Sequence, residues 1–352
     1  MRGLRISVAT VLAAAVLATG ALPRTHAQTL SNGLFDRYLD ALRQEFGIPG
    51  LSFAIVQNGV PVRDGGLGFQ DVGAAIRARS DTPYPIANLT ETIGSTLLLR
   101  QCIDLGTAEL TDKVERWAPF PSESLTTLGQ ALGHLSAANI YQYDATRFGR
   151  LSVAATECAK QSNYGRVLAT EILDRLSMTG SVPGRNAVDA PNAALFSAAK
   201  VDDYRAVLAR LALPYRVAAS GTATRSDFPA ATLDASTGLV STVLDLAKFD
   251  AALSDDRNLL LEPETRSLAW AQTATRPTGL GWFVQTYNGE KLVWHFGVAP
   301  GAYSSLILKV PSRRLTLILL ANSDGLGTSL SVTQPDVTKS LFAQTFLKLF
   351  VL

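Results

Sequence analysis

The stretch Asp81–Leu105, DTPYPIANLTETIGSTLLLRQCIDL, constrains this chain more than any other. It opens with turn chemistry at Asp81-Thr82-Pro83. It then places apolar residues at helical spacing: Leu89, Ile93, Leu97, Leu98 and Cys102. Residues three and four apart share a helix face, so the pattern predicts a buried helix. Only Gly94 interrupts it. Asn88 stands where the pattern starts and is a good N-cap residue, which predicts a helix N-terminus opening there.

Patterned segments flank this helix. Phe35–Phe46 carries Phe35, Leu39, Leu42 and Phe46 on one face, an amphipathic helix ended by Gly47-Ile48-Pro49-Gly50. Leu51–Gln57 reads as a strand, Asn58-Gly59 as a hairpin turn, and Val60–Arg63 as the returning strand. Gly66–Gly68 is expected to close that unit. The middle of the chain is helical, over about 148–160, 164–176 and 201–211. Near the end, 292–297, 302–310 and 315–322 read as strands, and 341–352 as a closing helix. Period-2 patterning in Leu315–Asn322 (LTLILLAN) is weak, and a continuous apolar run fits a sheet covered on both faces by helices.

With 352 residues, 47% of them hydrophobic, the chain can form a packed core as one large domain or two smaller ones. A formal net charge of +2 gives no reason to expect a nucleic-acid partner. Arg2 and Arg5, the apolar run Ile6–Ala21 and the small-residue site Thr25-His26-Ala27 read as a secretory signal peptide over residues 1–27. The mature chain is then expected to start at Gln28 and to be periplasmic or secreted, with no transmembrane span. Cys102 and Cys158 could pair in an exported protein. The expectation here is nevertheless two buried free thiols on two helices, since nothing in the sequence brings their Cα atoms together. The histidines are His26, His134 and His295, without metal-ligand spacing. Asn88, Glu91 and His295 would make a poor metal set, because such sites usually carry more His or carboxylate ligands. No cofactor is expected.

Several segments, in order, carry a family resemblance. Thr82, Tyr84, Ile86 and Ala87 keep the frame of "T-x-F-x-I-A-S-x-x-K". Gly106–Val114 (GTAELTDKV) is similar to "G-K-L-x-L-D-D-P-V". Leu128–Ala138 (LGQALGHLSAA) keeps His134 and Ser136 of "L-L-x-H-T-S-G-L". Ala235–Thr242 (ASTGLVST) with Asp245–Phe249 (DLAKF) resembles "A-x-G-G-L-x-S-T-x-x-D-L-A-R-F". His295-Phe296-Gly297 fits "H-x-G" and Ala299-Pro300-Gly301 continues it. The chain thus resembles the serine β-lactamase and penicillin-binding-protein superfamily, in its class C-like esterase and D-aminopeptidase group, from about Phe35 to the end. The resemblance implies an α+β fold. An antiparallel sheet flanked by helices (residues 28–86 and 230–352) would join a mainly helical subdomain (87–229), with a cleft between them.

The same resemblance assigns the site, and there this chain departs from the family. The nucleophilic Ser position holds Asn88 and the Lys position holds Glu91. The "Y-x-N" element falls on Tyr143 and Ala145; Tyr141 competes, in which case Tyr143 takes the Asn place, and either way the amide is missing. The "H-x-G" strand supplies His295 and Gly297, where Gly would let a ligand backbone lie alongside. The two oxyanion-hole N–H groups correspond to Asn88 and Val298. A Ser hydroxyl needs an adjacent base to become a nucleophile; an Asn amide is a poor nucleophile, and Glu91 reverses the charge of the site. A unit charge about 4 Å away contributes roughly 4 kcal/mol at an effective dielectric near 20. Sign reversal therefore shifts the site by several kcal/mol, or several powers of ten in rate.

The resulting expectation is a catalytically silent homologue that uses Asn88, Tyr143, His295 and Val298 to hold a small acyl, ester or peptide-like ligand, or a partner, with Tyr143 and His295 hydrogen-bonding Glu91 and locking the cleft. The alternative is an active hydrolase with a displaced nucleophile. Thr90 and Thr92 point off the Asn88 face, and Ser95 lies two turns deep. Ser197-Ala198-Ala199-Lys200 is a literal S-x-x-K, but it lacks the Ile-Ala lead-in and lies in the wrong part of the chain. For Tyr143 and His295 the plain reading is ordinary aromatic and structural residues.

Overall fold

The computed structural model describes residues 22–117, 125–229, 232–255, 259–272 and 277–352, with side chains from residue 31 onward. The apolar run Ile6–Ala21 of the expected signal peptide lies outside these residues, as does the expected boundary at 230. In chain order the elements begin α1 (Leu22–Glu45), β1 (Gly50–Gln57), β2 (Val60–Asp71), β3 (Ile76–Arg77), β4 (Tyr84–Pro85) and α2 (Thr90–Leu98). Then come α3 (Leu128–Leu132), α4 (Ala145–Cys158), α5 (Tyr164–Leu168), α6 (Ala198–Leu208), β5 (Tyr215–Val217), β6 (Ala223–Arg225), β7 (Val240–Ser241), α7 (Val243–Ser254) and α8 (Pro263–Ala269). The chain closes with β8 (Phe283–Tyr287), β9 (Glu290–Ala299), β10 (Tyr303–Val310), β11 (Leu315–Ala321) and α9 (Leu341–Phe350).

Seven strands form one antiparallel sheet in the order β3-β2-β1-β11-β10-β9-β8. The ends of the chain therefore meet at the centre, where Leu51 pairs with Ala321 and Gln57 with Leu315. Asn58 and Gly59 turn β1 into β2 with φ of 53° and 77°, the left-handed pair that a tight hairpin needs. β2 does not end at the glycines as the sequence suggests. It continues to Asp71, pairing Gly65, Gly66 and Gly68 with Phe53, Ser52 and Gly50.

The weak period of β11 has a direct cause. Leu315, Leu317, Leu319 and Ala321 join one core, with Phe35, Leu39, Phe342 and Phe346 of α1 and α9. Ile318 and Leu320 join the other, with Ile93, Leu97, Leu246 and Phe249 of α2 and α7. Both faces are dry, so both alternating sets are apolar. The fold is α+β, as expected.

The organising helix differs at its start. Asn88 is not the N-cap; it sits inside a 3-10 turn, Ala87–Leu89, and Leu89 takes the cap position without a side-chain bond. Ala87 has φ of 49°, which swings the chain sharply from β4 into the helix. All nine residues of α2 are buried, not only its apolar stripe. Gly94 is required by close approach: a β-carbon there would fall 2.9 Å from Cα and carbonyl carbon of Ala235. The two cysteines correct another expectation. Cys102 and Cys158 form a disulfide, their Cα atoms 5.2 Å apart, because the continuation of α2 packs against the end of α4.

Candidate functional site

Glu91 sits in the first turn of α2 and its carboxylate is fully buried. A buried carboxylate is costly unless every lone pair finds a donor. Here three groups converge on it. Oε1 accepts from the Tyr143 hydroxyl at 2.8 Å. Oε2 faces Nε2 of His134 at 2.9 Å and Nε2 of His295 at 3.1 Å.

Each donor is held by its own element. His134 follows α3, whose Thr127–Gln130 capping box fixes the helix start. Tyr143 precedes α4, where the Asp144 side chain caps the Arg147 N–H. Asp144 ties the two together, its backbone N–H donating to Nδ1 of His134 at 3.1 Å. His295 lies in β9. The rings stack around the carboxylate, His134 on Tyr143 with centroids 4.2 Å apart and His295 on Phe283 at 5.0 Å.

Hydrogen counting fixes the roles. Nδ1 of His134 accepts, so its Nε2 carries the hydrogen and donates to Glu91. Nδ1 of His295 lies 2.9 Å from the Phe296 carbonyl, which can only accept. A carboxylate likewise can only accept, so Nε2 of His295 is the donor in its contact with Glu91. Burial alone would raise the Glu91 pKa, but the ring N–H groups of His134 first and His295 second outweigh it and hold the group down at about 2. Tyr143 moves the other way, well above its ordinary value, through burial first and the adjacent carboxylate second. It stays a neutral donor rather than a phenolate base.

The remaining expected positions are placed as follows. Asn88 is half-buried in the turn before α2. Ala145 is the first residue of α4 and brings no amide. Tyr143, not Tyr141, reaches the centre, while Tyr141 donates its hydroxyl to the Val332 carbonyl. Gly297 does not leave room for a ligand backbone as expected. A β-carbon there would fall 2.7 Å from the Leu89 nitrogen and 2.8 Å from that of Asn88, so the glycine lets β9 press against the turn that opens α2. β8 pairs with β9 only as far as Trp294, which leaves the outer edge of residues 295–299 facing that turn. Val298 lies on this edge, with its side chain against Gly327.

The other hydroxyls are committed. Thr90 donates to the Ala87 carbonyl, Thr92 to Leu89 and Ser95 to Leu280. Ser197 caps α6 by accepting from the Lys200 N–H, and the Lys200 ammonium pairs with Asp174. A Ser–Lys contact does occur between Ser254 and Lys309, at 2.9 Å. Lys309 is also paired with Asp250, and it lies four residues along β10 from Ser305, roughly 13 Å at strand spacing. Among the described residues no group of three His, Cys, Asp or Glu has metal-holding geometry. His134 is the participant that the sequence reading missed. Its match to the "H-T-S-G" motif was the available signal.

Comparison with known proteins agrees with this architecture. The octameric penicillin-binding protein homologue from Pyrococcus abyssi superposes with a TM-score of 0.71 at 19% identity, over 90% of this chain and 77% of that one. The D-amino acid amidase from Ochrobactrum anthropi SV3, solved with L-phenylalanine amide, gives 0.64 at 20% identity, over 82% of this chain and 91% of that one. No curated protein matches the sequence. The family model described as beta-lactamase matches residues 35–335, most of the chain. On that match over a β-lactamase-like fold, the chain belongs to the beta-lactamase family.

Proposed function

We propose that this protein is an exported, catalytically silent member of the family, and that its cleft binds rather than turns over a small acyl, ester or peptide-like ligand. One observation carries the reading: Tyr143, His134 and His295, the side chains able to move a proton here, all spend a hydrogen on Glu91. None is left as a base, and Asn88 offers no nucleophile for one to activate. The backbone N–H groups of Asn88 and Val298 survive any side-chain change, and they are the groups that would meet a ligand carbonyl or carboxylate. Export rests on the N-terminal sequence pattern, with which the Cys102–Cys158 disulfide agrees.

Incubation of the purified protein with a fluorophosphonate and with a fluorescent penicillin tests the silence. The expected result is no covalent adduct by intact-mass spectrometry. An adduct on any residue of the mature chain overturns it.

A further inference from the structure

The segment Ser323–Ser340 between β11 and α9 had no role in the sequence reading, yet it contacts both Val298 of β9 and Tyr141, which leads into Tyr143. Its ends are anchored. The Leu326 N–H donates to Oγ of Ser304 at 3.1 Å, and the Gly301 N–H donates to Asp324 at 2.8 Å. At the far end Val337 is buried and Ser340 caps α9. Between these anchors most residues from Thr328 to Gln334 are exposed, but Leu330 and Val332 are partly buried and pack against the core that α1 and α9 share with the sheet.

One contact holds the middle down and two hold its margins. Gly327 lies on the Val298 side chain, so close that a β-carbon at Gly327 would overlap it. The Tyr141 hydroxyl donates to the Val332 carbonyl. The Gln285 amide makes a two-point clamp, donating to Asp336 at 2.9 Å and accepting from the Val337 N–H at 2.9 Å. Val298 belongs to the strand wall, and Tyr141 lies two residues before Tyr143 on the opposite wall. The segment therefore spans from the strand that carries Val298 to the loop that carries Tyr143.

We propose that Ser323–Ser340 is a strap that closes this cleft, latched by Tyr141 at Val332 and by Gln285 at Asp336 and Val337, and that ligand entry requires its release. This deepens the binding reading above and rests on it for what enters. The latch itself is independent of any ligand.

The native cysteines are joined to each other, so Val298→Cys introduces a single reactive thiol beneath Gly327. With the strap intact, a maleimide should modify this thiol at least tenfold more slowly than free cysteine. Adding Tyr141→Phe, which removes one hydrogen bond, should raise the rate about fivefold. Gln285→Ala serves as a second, separate release, with circular dichroism checking the fold of each variant. Amide hydrogen exchange over 328–336 should rise in both variants while β10 stays protected. Modification at the free-cysteine rate in the intact strap, or no change on either release, overturns the proposal. No ligand enters this assay, so either outcome leaves the adduct test of silence standing on its own.

Discussion

Nε2 of His134 and Nε2 of His295 reach the same oxygen of Glu91, at 2.9 and 3.1 Å, from parts of the chain 161 residues apart. That shared oxygen ties β9 and the turn after α3 to the first turn of α2. The family pattern has a lysine at this place, which accepts a proton only as the neutral amine. This chain has an anion saturated with donors.

Glu91→Gln should destabilise the protein by about 1–3 kcal/mol in urea unfolding, because a buried donor now held by the carboxylate loses its acceptor oxygen. The amide NH2 would also face ring N–H groups that have no other acceptor.

Acid should weaken the fold through the same residue. The Glu91 pKa falls from 4.5 to about 2 on folding. A depressed folded-state pKa means the unfolded chain binds the proton more tightly. The stabilisation is therefore complete above about pH 4.5 and is lost as pH falls from there through 2. Its full size is about 3 kcal/mol. Unfolding free energies between pH 6 and 2.5 should show this loss in the parent, and a correspondingly flatter profile in Glu91→Gln.

Restoring the family letters should not restore the activity. In Asn88→Ser with Glu91→Lys, the new ammonium would meet two ring N–H groups and a tyrosine hydroxyl arranged for an anion. Ala145 would still lack the amide of the "Y-x-N" element. The double variant should fold less stably than the parent and show no hydrolysis of a p-nitrophenyl ester above the parent. Strong turnover would mean that the cleft has kept the rest of its machinery.

The disulfide joins residues 56 apart in sequence, linking the continuation of α2 to the end of α4. Closing a loop of that length constrains the unfolded chain, and such bridges typically contribute about 2–4 kcal/mol. Cys102→Ser with Cys158→Ser should lower stability by that amount in thermal melts, and reduction of the parent should give the same loss.

Much of the fold was legible locally. Asn58-Gly59 fixed a hairpin because few dipeptides accept two left-handed residues. The stripe of Leu89, Ile93 and Leu97 marked a buried helix because only one period satisfies it. The continuous apolar run of β11 pointed to a sheet covered on both faces. The extension of β2 through its glycines was not legible. It depends on pairing with β1, and glycine in isolation reads as a break.

The sequence by itself determined the family, since this is a matter of residue identity in a fixed frame. Only the tertiary structure decided which groups Glu91 meets, that Tyr143 rather than Tyr141 is one of them, that His134 completes the set, that Cys102 finds Cys158, and that Gly327 and Val332 reach Val298 and Tyr141. Each of these joins residues far apart along the chain. Their distance in space is set by the packing of α2, α3 and α4 against the sheet, and no local periodicity encodes that packing.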